Sequence, residues 1–331
     1  MASNVLGLGQ SSSPFVSVYQ WSAGFGTRYS DPGTLPGGSG ATIGFGATDI
    51  TVGCNASPYV LAYPWTYAGG FGTKYSNPGT ALPSSCRGGT FGASDIFLGH
   101  NNSPYISAYP WSAGFGTKYS NPASLPDDAV TDLALTTGGA DVIASNTFST
   151  YIVAYPWSSG FGTKYSNPAT LPKGTGNSVS FSGSNVIIAH STSPFTSAYP
   201  WSSGFGTKYS NPASLPAGAG NGVSFNGTDV AIAHTTTPFV AAYPWSSGFG
   251  TKYSNPGTLP TSTGNGVSIG TSDIAVGHAT SPAISAYPWS GGFGTKYSNP
   301  GTLPTTDGRR TKFAEYSSGS ATNKQYSFIA G

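Results

Sequence analysis

Four histidines are the first residues in this chain that could carry metal or acid–base chemistry. They recur at one position of an internal repeat, at the end of its second predicted strand: His100, His190, His234 and His278. Gln10, Cys54 and Asn146 take that position in the other three repeats. Ligands of one metal ion must lie about 2.0 to 2.3 Å from it, whereas equivalent residues of neighbouring repeats diverge. The pattern therefore favours a hydrogen-bonded residue that braces each repeat over a metal centre.

Carboxylates are the second candidates, because acid–base catalysis needs a positioned pair of titratable groups. Glu315 is the single glutamate, and five of the ten aspartates recur at the turn before the second strand, as Asp229 does. A residue repeated in most units belongs to the architecture, whereas an active site should break the repeat. The acidic residues that depart from the repeat are Asp127, Asp128 and Asp132, and they are candidate ligands for a calcium-type ion. Solvated loop carboxylates are the alternative interpretation.

The sequence offers no motif in a context suited to nucleophilic, nucleotide or zinc chemistry. It has no phosphate-binding loop or clustered cysteine pairs, and its Gly-x-Ser-x-Gly match, at residues 266–270, falls on a predicted strand rather than on a strand-to-helix elbow. Gly-Phe-Gly-Thr recurs, but it lies in a predicted hairpin rather than before a helix. These observations predict no cofactor and no enzymatic activity.

The elements that would position such residues are set by a repeat whose fullest form is AYPWSSGFGTKYSNP, at residues 154–168. Its tryptophans are separated by 44 or 46 residues, close to the roughly 40 to 45 that separate four-stranded propeller blades. The seven tryptophans of the chain all occupy this slot: Trp21, Trp65, Trp111, Trp157, Trp201, Trp245 and Trp289. We interpret them as structural positions that pack one blade against the next.

The repeat predicts an all-β, seven-bladed β-propeller with four-stranded antiparallel blades. In one unit, strands are expected at residues 222–225, 230–234, 238–245 and 250–254. The first unit lacks an innermost strand, and Phe313 stands as far beyond its Leu-Pro turn as Phe225 and Ile269 do beyond theirs. We therefore expect residues 311–316 to close the first blade. Residues 1–317 would form the propeller, and residues 318–331 an extension with one more strand or a docking tail.

A cation recurs on the fourth strand of every unit. The seven residues are Arg28, Lys74, Lys118, Lys164, Lys208, Lys252 and Lys296. Lysine on an exposed edge strand prevents pairing with other chains. A phosphate-binding belt is the competing interpretation, but charges spread around a circumference favour edge protection.

Composition excludes several classes of partner. Only 7% of the 331 residues are charged and the formal net charge is +2, so long-range attraction to nucleic acid or anionic lipid is not expected. The sequence shows neither a signal peptide nor an apolar run long enough to span a membrane, which predicts synthesis in the cytoplasm. Cys54 and Cys86 fall in loops on one predicted rim, where a disulfide is geometrically possible, although no export signal favours one.

The period, the Tyr-Pro-Trp end of the third strand, the Asp-led turn and the split first blade resemble Trp-Asp repeat β-propellers. No Trp-Asp dipeptide occurs, so the hydrogen-bonded tetrad of that family cannot be carried over. The motif PW-S-x-GFGTKYSNPxxLP further resembles tandem repeats in virion proteins of tailed bacteriophages, over about residues 4 to 317. That resemblance implies a structural protein of a phage particle, located in the virion and bound to capsid or tail proteins.

Two other functions stay open at this point. Aromatic residues in repeated loops could stack on sugars, as in a carbohydrate-binding adhesin that recognises host surface glycans. An enzyme acting at the axial pocket is the third hypothesis, and the one that the uniform repeats favour least.

Overall fold

The computed structural model describes residues 3–316 and 323–324, and these residues form seven antiparallel sheets. Blade 1 combines β1 (Ser3–Gly9), β2 (Val16–Trp21) and β3 (Phe25–Arg28) with two C-terminal strands, β23 (Thr311–Tyr316) and β24 (Asn323–Lys324). Blade 2 contains β4 (Gly40–Phe45), β5 (Asp49–Cys54), β6 (Val60–Thr66) and β7 (Gly70–Phe71). The seven-bladed all-β fold predicted from the sequence is confirmed.

The other five blades each contain three strands. Blade 3 comprises β8 (Cys86–Phe91), β9 (Asp95–His100) and β10 (Ile106–Pro110), and blade 4 comprises β11 (Val130–Leu135), β12 (Asp141–Asn146) and β13 (Ile152–Pro156). Blade 5 comprises β14 (Gly176–Ser182), β15 (Asn185–His190) and β16 (Thr196–Pro200), and blade 6 comprises β17 (Gly220–Phe225), β18 (Asp229–His234) and β19 (Val240–Pro244). Blade 7 comprises β20 (Gly264–Ile269), β21 (Asp273–His278) and β22 (Ile284–Pro288).

The ring closes through the innermost strands. Each one contacts the innermost strands of the two neighbouring blades, and β23 contacts both β20 and β4. In blade 1, β23 pairs with β1 in a register that sets Phe313 opposite Leu6. The chain therefore joins its C-terminal strand to its first blade, as the spacing of Phe313 predicts. The further strand expected in residues 318–331 lies outside the described residues, apart from β24.

The fourth strand is shorter than the sequence predicts. Outside blades 1 and 2, the described outermost segments pair through one bridge between the repeat's Trp and Phe, such as Trp245 with Phe249. The preceding turn has positive φ at Ser247 (55°) and Gly248 (144°), and Pro244 has no N–H to donate. Two backbone bonds remain, from Gly250 N to Pro244 O (2.8 Å) and from Tyr253 N to Ala242 O (2.9 Å).

The only helical element in the described part of the chain is a 3₁₀ turn at Thr137–Gly139. No helix there has the length and apolar character required to cross a bilayer. Buried side chains fill the spaces between blades, with the second strands among the most completely buried segments. The innermost strands, which carry the axial residues, therefore each pair with a buried second strand.

Candidate anion-binding site at the axial mouth

The second residue of the innermost strand in blades 2 to 7 faces one end of the propeller axis, and in blade 1 the equivalent residue, Arg309, lies two positions before β23. In blades 5, 6 and 7 this residue is Asn177, Asn221 or Asn265. Each amide Nδ2 donates to the carbonyl of a residue at the start of the next innermost strand, over 2.8, 2.9 and 3.0 Å. In blade 4, Thr131 Oγ1 donates in the same way to Gly176 O over 2.5 Å. Four equivalent bonds thus join five consecutive blades, from blade 4 through blade 7 to blade 1.

The repeated bond stops at the other three blades. Their equivalent residues are Arg309 in blade 1, Ala41 in blade 2 and Arg87 in blade 3. Two arginines therefore flank the smallest side chain in the series. Together with Asp307 and Arg310, this ring of residues bounds a cavity of about 320 Å³, which we call the axial mouth.

Arg310 crosses the axis beneath the axial mouth. It leaves the start of blade 1, and its guanidinium reaches the opposite side of the ring. Nη2 donates to Asn177 O and, over 3.3 Å, to Thr131 O, and Nη1 donates to Asn221 O over 3.4 Å. Nη1 also lies 3.4 Å from Asp132 Oδ2. The side chain separates the axial mouth from a second cavity of about 90 Å³, which we call the lower chamber.

Close approach of the strands at this level depends on glycine. A Cβ atom at Gly266 would lie 2.5 Å from the carbonyl oxygen of Arg309. A larger residue would push the innermost strands of blades 7 and 1 apart, since real Cβ contacts are not this short. The glycine therefore allows the two arginines of blade 1 to enter the axial region.

The axial mouth has an excess of positive charge. Arg309 Nε donates to Asp307 Oδ2 over 3.1 Å, and Asp307 Oδ1 accepts from Ser11 N over 2.9 Å. Burial alone would raise the pKa of Asp307, but the bonds from Ser11 and Arg309 outweigh it and lower the pKa. Desolvation lowers the pKa of Arg87, and repulsion from Arg310 and Arg309 lowers it further. Arginine nevertheless stays protonated in proteins, so three cations face two carboxylates when Asp132 is included.

The acidic candidates from the sequence are not brought together. Asp132 lies at the axis, where it accepts from Ser178 Oγ (2.7 Å) and Val179 N (3.2 Å) as well as from Arg310. Asp127 instead accepts from Thr150 Oγ1 (2.7 Å), and Asp128 accepts from Thr147 Oγ1 (2.8 Å). Within the described residues no group of three His, Cys, Asp or Glu side chains is arranged to hold a metal ion.

The histidines lie inside the blades and away from any reaction site. All four are fully buried, and His100, His190 and His278 place Nε2 at 3.0 to 3.1 Å from a serine Oγ on the third strand. Burial lowers the pKa of each to about 4. They are therefore neutral near pH 7. His100, His190 and His278 brace their blades through this contact, whereas neither ring nitrogen of His234 has a hydrogen-bond partner among the described residues.

The tryptophans join neighbouring blades through aspartate. We call this arrangement the framework network: the Asp at the start of a second strand, the Trp of the next blade and the Tyr of the Asp's own blade. Trp201 Nε1, for example, donates to Asp141 Oδ2 (3.1 Å), and Tyr165 Oη donates to Asp141 Oδ1 (2.7 Å). The same Trp–Asp bond, at 3.0 to 3.2 Å, joins Trp21 to Asp273, Trp111 to Asp49, Trp157 to Asp95 and Trp289 to Asp229. Asn185 replaces aspartate in blade 5 and accepts from Tyr209 Oη.

The cations of the outer strand are satisfied locally. Lys252 Nζ donates to Asn255 Oδ1 over 2.6 Å, and Lys74 Nζ donates to Asn77 Oδ1 over 2.7 Å. Cys54 ends β5 and Cys86 begins β8, so the prediction that both lie in loops is wrong. Both are free, buried thiols, and burial raises the pKa of both. Neither the outer-strand cations nor the two cysteines line the axial mouth.

Sequence reasoning missed Arg87, Arg309, Arg310 and Lys312. Their signal was present, because they are four of the six basic residues outside the outer-strand slot. Arg87 and Arg309 stand where three blades carry asparagine. The residues that depart from the repeat at this site are thus basic, whereas the predicted departure was the acidic set Asp127, Asp128 and Asp132.

No protein-family model matches the sequence, and no curated protein shows significant similarity to it. Solved structures resemble the whole architecture. A Bacteroides fragilis protein provisionally named a 6-phosphogluconolactonase is 12% identical, with a TM-score of 0.72, over 94% of this chain and 98% of its own. The periplasmic gluconolactonase of Pseudomonas aeruginosa is 11% identical, with a TM-score of 0.67, over 95% of this chain and 99% of its own. A computationally designed protein, Ika8, is 11% identical, with a TM-score of 0.66, over 92% of this chain and 85% of its own.

Similarity at this level of identity shows the fold. It also corrects the prediction of a virion structural protein without catalytic activity, which is wrong. The natural proteins just described, which share the architecture almost end to end, are named as lactonases, and phage, capsid and tail assignments have no support among them. The reason for the error is physical: uniform blades reflect packing requirements common to all propellers and say nothing about whether the axis carries a reaction.

Proposed function

We propose that this chain is a hydrolase that opens small anionic lactones, such as phosphorylated sugar lactones, at the axial mouth. The observation that carries the proposal is the replacement of the repeated asparagine by Arg309 and Arg87 on either side of Ala41. A planar guanidinium binds phosphate or carboxylate through two parallel hydrogen bonds. The names of the lactonase neighbours support the reaction class, and the arginines support the charge of the substrate.

The size of the axial mouth is consistent with a monosaccharide-sized ligand. Its volume of about 320 Å³ lies at the lower end of small-molecule pockets, which span roughly 300 to 1,000 Å³. Arg310 forms the floor, so a ligand enters from one side only and its anionic group meets Arg87 and Arg309. Ala41 leaves room between them for the ring.

The residues present can support the hydrolysis of a ring ester. The oxygen of a water molecule bonds to the lactone carbonyl carbon, the ring C–O bond breaks, and a carboxylic acid and a hydroxyl group result. One arginine stabilises the negative charge that develops on the carbonyl oxygen, in the role of an oxyanion-stabilising donor. Asp307, the carboxylate of the axial mouth, is kept ionised by its lowered pKa. It accepts a proton from the attacking water and returns that proton to the ring oxygen as the ring C–O bond breaks.

The test is hydrolysis of phosphorylated and unphosphorylated gluconolactone, followed by proton release and corrected for the spontaneous reaction. The wild-type protein should open the phosphorylated lactone faster. Arg87→Ala and Arg309→Ala should each lower kcat/KM by about 100-fold, the loss typical of one transition-state donor. Lys252→Ala is the matched control, because it removes a cation from the outer strand and should leave the rate unchanged. Full activity in both arginine variants, with the melting temperature unchanged, would refute the proposal.

A further inference from the structure

The lower chamber lies on the axis below Arg310 and has its own set of polar side chains. Four of them share one level of the innermost strands: Ser180, Ser224, Ser268 and Lys312. Lys312 occupies in blade 1 the position that serine occupies in blades 5, 6 and 7. This level is separate from the ring of asparagines and arginines that forms the axial mouth.

The three serines are oriented by the neighbouring blades. Phe225 N donates to Ser180 Oγ over 3.1 Å, Ile269 N donates to Ser224 Oγ over 3.0 Å, and Phe313 N donates to Ser268 Oγ over 3.1 Å. Each hydroxyl therefore accepts a backbone hydrogen bond and retains its own hydrogen as a donor. Among the described residues, none of these hydrogens has a recorded acceptor.

Two further groups in the lining lack protein partners. Thr311 is 6% exposed, and its Oγ1 has no hydrogen-bond partner among the described residues. A buried hydroxyl in this state calls for a ligand or an ordered water. The ammonium of Lys312 makes no recorded hydrogen bond or ion pair within the described part of the chain. Its position therefore leaves up to three N–H donors available to the lower chamber.

The charge balance of the lower chamber is positive. Asp132 is the carboxylate in the lining, and its Oδ2 is already engaged by Ser178, Val179 N and Arg310. Burial lowers the pKa of Lys312, and the Asp132 carboxylate raises it in part. With Lys312 protonated, the form that a bound anion would stabilise, Arg310 and Lys312 together exceed Asp132 by one charge. A lining that combines one surplus cation with several hydroxyl donors favours a monovalent anion over a cation.

We propose that the lower chamber is a binding site for a small inorganic anion of the size of bromide or nitrate, held by the Lys312 ammonium and the hydroxyls of Ser180, Ser224 and Ser268. The volume of about 90 Å³ suits such an ion with one or two waters and excludes a sugar. The site is independent of lactone hydrolysis, because the Arg310 side chain separates it from the axial mouth. Its occupant neutralises the surplus charge at the centre of the ring and satisfies donors from four blades.

Binding is measured by titrating the full-length protein with sodium bromide or sodium nitrate, with sodium glutamate holding the ionic strength constant. A ligand that binds only the folded state raises the melting temperature with a saturable dependence on its concentration. Lys312→Met should weaken the apparent affinity by about tenfold or more, in keeping with the loss of a charged contact. Lys252→Met removes an outer-strand cation and should leave the affinity unchanged.

Anomalous scattering from crystals grown in sodium bromide locates the ion directly. The expected peak lies among Ser180, Ser224, Ser268 and Lys312, and it should be lost in Lys312→Met. Bromide bound only to Arg87 or Arg309, or a chamber that holds water alone at saturating bromide, would overturn the proposal. A titration that remains unchanged in Lys312→Met would overturn it as well, and the Arg87→Ala variant should bind bromide in the chamber as the wild type does.

Discussion

The framework network and the axial mouth are built from the same repeats, but they differ in how strictly the repeat is kept. In the network, one aspartate position accepts bonds from a tryptophan and a tyrosine in five blades, with nearly constant distances. At the axial mouth, the equivalent residue is asparagine in only three blades, and arginine, alanine or threonine in the rest. Repetition marks the residues that packing requires in every blade, and its interruption marks the residues that serve one place only.

Blade 1 shows how the framework network behaves when a member is missing. Val5 stands where the other blades have Asp or Asn, and the indole Nε1 of Trp65 in blade 2 has no hydrogen-bond partner among residues 3–316. Tyr29 Oη donates instead to the carbonyl of Tyr67, over 2.6 Å. The ring therefore closes without this one polar contact, and aromatic packing, such as that of Trp65 with Tyr29 and Phe71 at 4.9 Å, holds the junction.

Acid should produce the largest loss of stability, and it should act through the four buried histidines rather than through the axial mouth. Burial lowers the pKa of each histidine from 6.5 to about 4, so the unfolded chain binds more protons below pH 6.5. Stability contributed by the neutral histidines is complete above pH 6.5 and is lost as the pH falls towards 4. Each would contribute up to about 3 kcal/mol to that loss. Equilibrium unfolding at pH 7, 6, 5 and 4 measures it.

Glutamine offers a matched control for the acid experiment. In blade 1, Gln10 fills the histidine position and its Nε2 donates to Ser17 Oγ over 2.6 Å, as His278 Nε2 pairs with Ser285 Oγ. His278→Gln should therefore fold normally at pH 7 and lose less stability between pH 6.5 and 4 than the wild type. An identical pH dependence in the variant would contradict the role assigned to the buried histidines.

Removing a tryptophan of the framework network should have the next largest effect. Trp201 is 7% exposed, and its ring lies 5.3 Å from Tyr165 and 5.0 Å from Phe205. Trp201→Ala should lower the free energy of unfolding by about 4 kcal/mol, through lost packing and a cavity between blades. Urea denaturation measures this loss in the free energy of unfolding.

The contrast between two phenylalanine substitutions isolates the hydrogen bond. Trp201→Phe loses the bond to Asp141, whereas Trp65→Phe has no such bond to lose. Trp201→Phe should therefore be the more destabilising by about 1 kcal/mol, the usual net value of one hydrogen bond. Equal losses would show that packing alone accounts for the tryptophans.

The architecture could be predicted from the sequence because the same motif recurs seven times. Tryptophan spacing predicted the number of blades, and the position of Phe313 predicted the strand that closes blade 1. The fourth strand was overestimated, since alternation along residues 250–254 does not reveal that Pro244 and the turn at Gly248 leave only two backbone bonds. The axial site was missed because Arg310 binds residues 89 to 179 positions away, and no local pattern reports a side chain that crosses the ring.

The converse experiment introduces into the axial mouth the asparagine that the repeat carries in other blades. Arg87→Asn places in blade 3 the residue that blades 5, 6 and 7 carry, and its amide should donate to the backbone of blade 4. Stability should change by no more than about 0.5 kcal/mol, as for a surface substitution. Hydrolysis of the phosphorylated lactone should fall about 100-fold, because the guanidinium is lost. A variant that is strongly destabilised would instead assign Arg87 to the framework.

Substitution of Asn221 should have the smallest effect on the rate of hydrolysis. It tests the comparison because Asn221 lies in the axial mouth but is one of the asparagines that the repeat conserves in blades 5, 6 and 7. Its Nδ2 donates to Gly264 O over 2.9 Å, so Asn221→Ala should lower the free energy of unfolding by about 1 kcal/mol. The rate of lactone hydrolysis should stay within about twofold of wild type, since no charge is removed from the arginine side of the mouth. A large loss of activity with unchanged stability would show that residues kept by the repeat also take part in the reaction. The division between repeated and unrepeated positions would then no longer separate packing from chemistry at the axis.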